Sequence, residues 1–338
     1  MQHEKTKNFL IRTVTQDDLD ALYNLAKQTG PGMTSLPADK KLLADKIQES
    51  INSLKIEPTK VGAEAYRFVL EYDHKIIGVA AIRARVGGYE PSYSYEIKTN
   101  RKVSPALGVD KEVEFLELCK EHDGPTIVSS LFVSPEFRTL GYGQYLSLAR
   151  FLFMANFPAR FTDTVIAEMR GCINEANKSP FWEGTIRHFF DMEFDKADYL
   201  SAKDKGFIAE LMPKFPIYIP LLPEPVRESI GKVHRDTASA LKYLEDQGFK
   251  RDGHVDIFDA GPRVVCKVLD IQAVKNSLVR KVQAGEVQDT LVLISNITTD
   301  FRVTVLNAKI TEDNIIIPQH IIDLLNIKEG DPVRFIEL

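Results

Sequence analysis

The run Thr126–Val133 is strand-like and stops at Ser134-Pro135; it is followed at once by Arg138-Thr139-Leu140-Gly141-Tyr142-Gly143 and then by residues 144–157. In that last stretch Leu146, Leu148, Ala149, Phe151, Leu152 and Phe153 recur at helical spacing and make a broad apolar surface. A strand, a glycine-bearing turn and a helix in series restrict the chain to folds that pack helices on a sheet. Such a turn leaves backbone N–H groups unpaired at the positive end of a helix dipole, which suits phosphate. Gly141 and Gly143 carry no side chain to block close approach, and Arg138 adds a charge-assisted contact. On spacing alone the same pattern also serves as a plain entry to a helix, and both readings stand.

Around this unit the pattern is regular at both ends of the chain. Residues 9–13 read as a strand, Thr15 as the cap of a helix bearing Leu19, Leu22, Leu25 and Ala26, and Gly30 as its stop. Gly30-Pro31-Gly32 begins a loop, and residues 40–53 read as a second helix. Residues 68–72 and 75–85 form a hairpin about Asp73-His74, and a polar, Tyr-rich segment follows. Residues 164–169 read as a strand. Asp236 caps a helix running to Gln247 and ending at Gly248, and residues 255–258 and 263–269 pair across Ala260-Gly261-Pro262. Strand signals at 290–294, 301–306, 314–317 and 333–336 mark a separate small β unit.

Composition bears on which ligands suit such a fold. The 338 residues hold 43 Lys plus Arg against 48 Asp plus Glu, a formal net charge of -5, with no basic block. Bulk nucleic-acid binding needs a positive footprint, so small-molecule chemistry is expected and nucleic acid is not. The three cysteines, Cys119, Cys172 and Cys266, are far apart and suggest neither a disulfide framework nor a metal site. Met1 to Asn8 is polar and no apolar run approaches a membrane span, so a cytoplasmic chain without membrane partners is expected.

The order of elements resembles the acetyltransferase-like (GNAT) acyl-CoA enzymes, on Leu131-Phe132-Val133-Ser134-Pro135-Glu136-Phe137-Arg138-Thr139-Leu140-Gly141-Tyr142-Gly143 and on residues 238–249, a late helix ending in Gly248-Phe249. The resemblance implies a mixed α/β (α+β) fold: a GNAT-like sheet flanked by helices, an insertion and a small C-terminal β unit. The expected divisions are 1–170 for the first part of the core, 171–233 for a substrate-specific insertion, 234–284 for the second part and 285–338 for the tail. It also implies that strand backbone at Leu131, Phe132 and Val133 pairs with the pantetheine arm of CoA, while Arg138, Gly141 and Gly143 hold the pyrophosphate. Many GNAT enzymes place a Tyr in the late helix to protonate the departing thiolate; here that position is Leu244, with Tyr243 one step round the helix.

Longer strings are more specific. Residues 32–37, Ala167-Glu168-Met169-Arg170-Gly171, Ser179-Pro180-Phe181-Trp182, residues 207–213, Ile230-Gly231-Lys232-Val233-His234 and residues 256–262 resemble the arginine N-succinyltransferase family over essentially the whole chain. That resemblance implies transfer of succinyl from succinyl-CoA, a co-substrate rather than a resident cofactor, to the α-amino group of L-arginine. It assigns His234 as proton donor and Leu131 as a succinyl-CoA contact. The chemistry is consistent: expulsion of a thiolate of pKa about 8.5 is assisted by a neighbouring acid, and an imidazole titrates in range.

For the guanidinium of arginine the candidates are Glu168, Glu210, Asp256 and Asp259, and for the succinyl carboxylate Arg170 and Arg187. His188 is expected to pack beside Phe189-Phe190, and His122 and His254 to lie in a loop or at a strand edge. Residues 315–333 also resemble the short swapped-hairpin modules of bacterial DNA-binding regulators, which gives an acyl-CoA-sensing or DNA-binding regulator as the alternative. Transfer to ornithine or another amine, and a homo-oligomer, are left open.

Overall fold

The computed structural model describes residues 9–29, 33–174, 178–203, 206–286 and 289–338, so the expected Gly30-Pro31-Gly32 loop and the polar start lie outside the described residues. Strand β1 (Phe9–Thr13) runs into α1 (Leu19–Ala26), and α2 (Lys40–Lys55) starts where Asp39 Oδ1 accepts from the N–H groups of Lys41 and Leu42 at 2.9 and 3.1 Å. β2 (Ala65–Tyr72) and β3 (Lys75–Arg83) are joined by Asp73 and His74 at φ 48° and 61°, the tight hairpin geometry expected of that dipeptide. β4 (Ser92–Ser104) and β5 (Val109–Glu121) form a long hairpin in the stretch read from sequence only as polar and Tyr-rich. Its far half is exposed on both faces, so the apolar alternation that marks a strand is missing there.

β6 (Thr126–Val133), α3 (Tyr142–Asn156) and β7 (Thr164–Glu168) are the expected strand–turn–helix–strand series. The short helices α4 (Pro180–Gly184), α5 (Arg187–Phe190), α6 (Phe194–Ser201) and α7 (Gly206–Leu211), the strand β8 (Ile217–Tyr218) and α8 (Glu224–Ser229) follow. They pack Phe181, Trp182, Ile186, Phe190 and Phe194 against Tyr93, Tyr95 and Leu116 of the β4–β5 hairpin as a core of their own. α9 (Ala238–Asp246), β9 (Lys250–Val255) and β10 (Pro262–Lys267) return to the main sheet. Two expectations need correction here. The helix expected to start from Asp236 has Thr237 at its N-cap, with His234 capping the turn before it, and the strand predicted at 255–258 lies at β9, leaving Asp256 and Asp259 in the β9–β10 loop. Asp256 Oδ1 accepts from Phe258 N and Asp259 N at 2.7 and 2.9 Å, a side-chain turn that competes with strand pairing.

After α10 (Gln272–Asn276) come β11 (Leu278–Ala284), β12 (Thr290–Ser295), β13 (Arg302–Ile310), β14 (Asn314–Ile317), α11 (Gln319–Leu324) and β15 (Pro332–Glu337). β12 pairs with β15, β15 with β11, β11 with β14, β14 with β13 and β13 with β12, a ring closed within one chain. β11, expected in the core part 234–284, therefore pairs with the tail strands. Its polar residues Arg280, Lys281 and Gln283, with the exposed Leu278 and Val279, hide the strand from a hydrophobicity reading.

β13 also pairs with β1, so the ring continues into the core order β1-β2-β3-β6-β7-β10-β9-β4-β5-β8. At its centre β6 and β7 run parallel but pair only at Thr126↔Val165 and Ile127↔Ile166. Beyond that point β7 follows β10 while β6 stays on β3, where a register shift and Ser130 at φ 54° form a bulge. The sheet splits at this bulge.

Candidate active site

A cavity of about 690 Å³ opens at the split. Leu131, Phe132, Val133 and Arg138 line it from the β6 side, Glu168 and Arg170 from the end of β7, and Asp256 and Asp259 from the β9–β10 loop. Gly141 and Gly143 are outside the lining but stand just beyond Arg138, at the start of α3. Gly141 adopts φ 78°, and a Cβ there would meet nothing within 4 Å; one on Gly143 would meet only Val133 Cγ2 at 3.9 Å. The helix entry is thus sterically open. Arg138 donates from Nε to the Val133 carbonyl at 3.1 Å and its guanidinium lies 5.2 Å from the Phe132 ring centre, which fixes the arginine at the tip of β6.

Three of the specific strings meet in one backbone knot behind the cavity. Gly171 bridges Val233, His234 N–H donates to the Arg170 carbonyl at 2.8 Å, and Gly231 N–H donates to the Ala260 carbonyl at 2.9 Å. Asp259 accepts from Gly171 N at 2.7 Å and from Gly261 N at 2.8 Å. The segments approach so closely that a Cβ on Gly261 would sit 1.9 Å from the Met169 carbonyl oxygen, and one on Gly171 would sit 2.2 Å from that of Asp259. Burial and the neighbouring Asp256 push the Asp259 carboxyl well above the usual carboxylate range, against the two amide bonds that favour its charge. Asp259, offered from sequence as a guanidinium ligand, is used here to close the knot.

His234 is 4% exposed. It follows Arg170 in the knot and adjoins Asp236 and Thr237, which line the cavity, but is not itself in the lining. Its Nδ1 accepts from the Asp236 N–H at 3.1 Å, so the proton of the neutral ring belongs on Nε2. Burial first, then the Arg170 charge, hold its pKa below the ordinary imidazole value.

The remaining candidates separate clearly. Glu210 is exposed on α7 and does not line the cavity. Arg187 is bonded to Glu183 and Glu193, and His188 is exposed rather than packed, because α5 turns Phe190 inward instead. His122 is exposed. His254 lies on β9, where its ligand atom comes within 4.8 Å of those of Glu96 and Cys119. Strand pairing rather than sequence spacing assembles that trio, and Lys98 Nζ at 3.2 Å supplies Glu96 with a counter-charge.

Sequence reasoning missed two buried arginines in the lining, Arg67 of β2 and Arg150 of α3, at 4% and 2% exposure. Arg150 donates from Nη2 to Ser147 Oγ at 2.7 Å and lies beside Tyr243, whose buried hydroxyl has no partner among the described residues and whose pKa burial raises. Leu244, not Tyr243, faces the cavity. An arginine in a strand or amphipathic-helix pattern reads as a solvent-facing residue, so only the tertiary fold shows that these two are internal.

Comparison with known proteins adds the chemistry. The family model described as "Arginine N-succinyltransferase beta subunit" matches residues 9–273, and that of its C-terminal domain matches 277–337. The chain belongs to the arginine N-succinyltransferase family. An arginine N-succinyltransferase of Yersinia pseudotuberculosis is 39% identical over 343 residues, covering 97% of both chains. The arginine N-succinyltransferase subunit beta of Pseudomonas aeruginosa is 39% identical over 334 residues, covering 97% of this chain and 98% of its own. The solved arginine/ornithine succinyltransferase subunit AI from Pseudomonas aeruginosa superposes with a TM-score of 0.90 at 33% identity, over 98% of each chain. Family and mixed α/β fold are as the strings implied.

Proposed function

We propose that this chain transfers the succinyl group of succinyl-CoA to the α-amino group of L-arginine, giving N2-succinylarginine and CoA. The observation that carries this is full-length similarity to proteins named for that reaction, over a chain whose sheet splits at the strand expected to hold CoA. In this reading the thioester arm pairs with β6 backbone at Leu131, Phe132 and Val133 on the side that β7 leaves. The pyrophosphate sits at the open entry of α3, at Gly141 and Gly143 beside Arg138, in the manner of GNAT enzymes. Succinyl-CoA leaves as CoA, so no resident cofactor is needed.

Formation of the N–C bond requires loss of protons from the arginine ammonium, and cleavage of the C–S bond requires a proton at sulfur. Of the two protons the nitrogen gives up, one passes to solvent; His234, neutral at rest, takes the other to become an imidazolium and then gives a proton from Nε2 to the departing sulfur, a role supported by the burial of the ring beside the cavity. Glu168 and Asp256, which line the cavity, are the carboxylates offered to the guanidinium; Glu210 is not. The segment 171–233 forms the substrate-specific wall, through Phe194, Asp198 and Ile208.

Thiol release, with mass analysis of the product, tests this directly. Succinyl-CoA with L-arginine should give the highest kcat/KM in a panel that includes acetyl-CoA, ornithine and lysine. A preference for acetyl-CoA, or no turnover of arginine, would overturn it.

A further inference from the structure

We propose that Arg67 binds the free carboxylate of the succinyl group and so selects succinyl-CoA over uncharged acyl-CoA donors. This rests on the function proposed above. The β2 backbone is fixed at Arg67 by its N–H bond to Ser50 Oγ at 2.8 Å, which brings its side chain into the interior between the sheet and the loop ahead of α2. There the guanidinium lines the cavity while the residue is only 4% exposed.

A guanidinium has five N–H donors, and these are poorly served. Nη1 reaches the Ser35 carbonyl at 3.3 Å and Ser130 Oγ at 3.5 Å, both long, and Nε has no partner among the described residues. The carboxylate whose field reaches Arg67 is that of Glu49, which Arg83 holds with two bonds at 2.9 and 3.1 Å. Among the described residues no carboxylate hydrogen-bonds to Arg67. Burial lowers its pKa to about 10, so it remains a cation at neutral pH. A buried cation with spare donors and no anion is costly by itself and suited to a visiting one.

Its position selects which anion. Ser130, within reach of the Arg67 head, is the bulge residue where β6 parts from β7. A thioester arm running along Leu131–Val133 brings its carbonyl to that bulge, and two methylenes then separate the carbonyl from the succinyl carboxylate. Of the arginines expected from sequence for this task, Arg187 is occupied by Glu183 and Glu193, and Arg170, which also lines the cavity with an unpartnered Nε among the described residues, follows β7 at the His234 knot, across the split from Ser130. The other carboxylate brought to the cavity is the α-carboxylate of the amine substrate, and the experiment separates the two.

Arg67→Met is assayed with succinyl-CoA and with butyryl-CoA, which has a methyl in place of the carboxylate, against L-arginine and against agmatine, which lacks the α-carboxylate. The expected result is a loss of roughly 100-fold in kcat/KM with succinyl-CoA, little change with butyryl-CoA, and the same loss with either amine. Equal losses with both acyl donors, or a loss that vanishes with agmatine, would overturn the proposal. Arg67→Lys keeps the charge but not the fork and should lower the succinyl preference about tenfold; an unchanged preference overturns it if Arg67→Met does not fold. Calorimetric binding of succinyl-CoA and butyryl-CoA to wild type and variant needs no acceptor. It therefore reports on Arg67 even if wild type shows no turnover with arginine, an outcome that would defeat the function instead.

Discussion

His234 is buried because three backbone segments close around it, and the closure depends on two glycines. Gly261→Ala places a methyl 1.9 Å from the Met169 carbonyl, so the variant should lose about 2–4 kcal/mol of stability, read as a lowered Tm. For the reaction itself, His234→Ala should lower kcat by roughly 10²–10⁴-fold with little change in succinyl-CoA affinity; wild-type turnover would refute its role. The pH profile is informative in sign. Burial holds the imidazole pKa low, and the neutral ring is the form that takes the proton from the arginine nitrogen, so activity should rise with pH through an inflection below the ordinary imidazole value. An inflection above pH 7 that disappears in the variant would contradict this. The motif marked His234, but its burial and tautomer come from contacts with Arg170 and Asp236 that string matching does not contain.

At the level of elements, the strand–turn–helix unit is the part that can be probed without harming the fold. A Cβ on Gly143 has room, with Val133 Cγ2 at 3.9 Å, so Gly143→Val should fold normally yet weaken CoA binding about tenfold or more. Unaltered affinity in calorimetry would remove the pyrophosphate from this turn. This unit was legible in sequence because β6 and α3 are buried and their periodicities follow directly from burial. The far half of the β4–β5 hairpin, exposed on both faces, and β11, in which only Val282 is buried, were not, since neither shows an apolar alternation to detect.

For the whole molecule, the C-terminal ring is part of the main core rather than an appendage. Leu293, Phe301, Val303, Val305 and Ile336 belong to the same buried cluster as Phe9, Tyr66 and Phe153, and Thr304 Oγ1 donates to the Phe9 carbonyl at 2.7 Å. Five such side chains at about 1.5–3 kcal/mol each match the entire stability of a typical domain. A chain truncated after Asn276 should therefore fail to fold, and the full chain should unfold in one calorimetric transition. A soluble, cooperatively folding truncation would show the ring to be dispensable. The ring also bears on the swapped-hairpin resemblance of residues 315–333: β14 and β15 find their partners within this chain, in a closed ring.

The amino-acid sequence by itself determined the family and the mixed α/β class, and it supplied the strand and turn expected to take CoA and the histidine proposed as proton donor. These rest on local patterns and on strings whose residues are neighbours in the chain. Only the tertiary structure decided where the sheet splits, that three distant strings tie one knot around His234, and that Arg67 and Arg150 are internal. The physical reason is that burial of a charge and closure of a ring of strands are set by residues far apart in sequence. For Arg67 those residues are Ser35, Ser50 and Ser130, none adjacent to it in the chain.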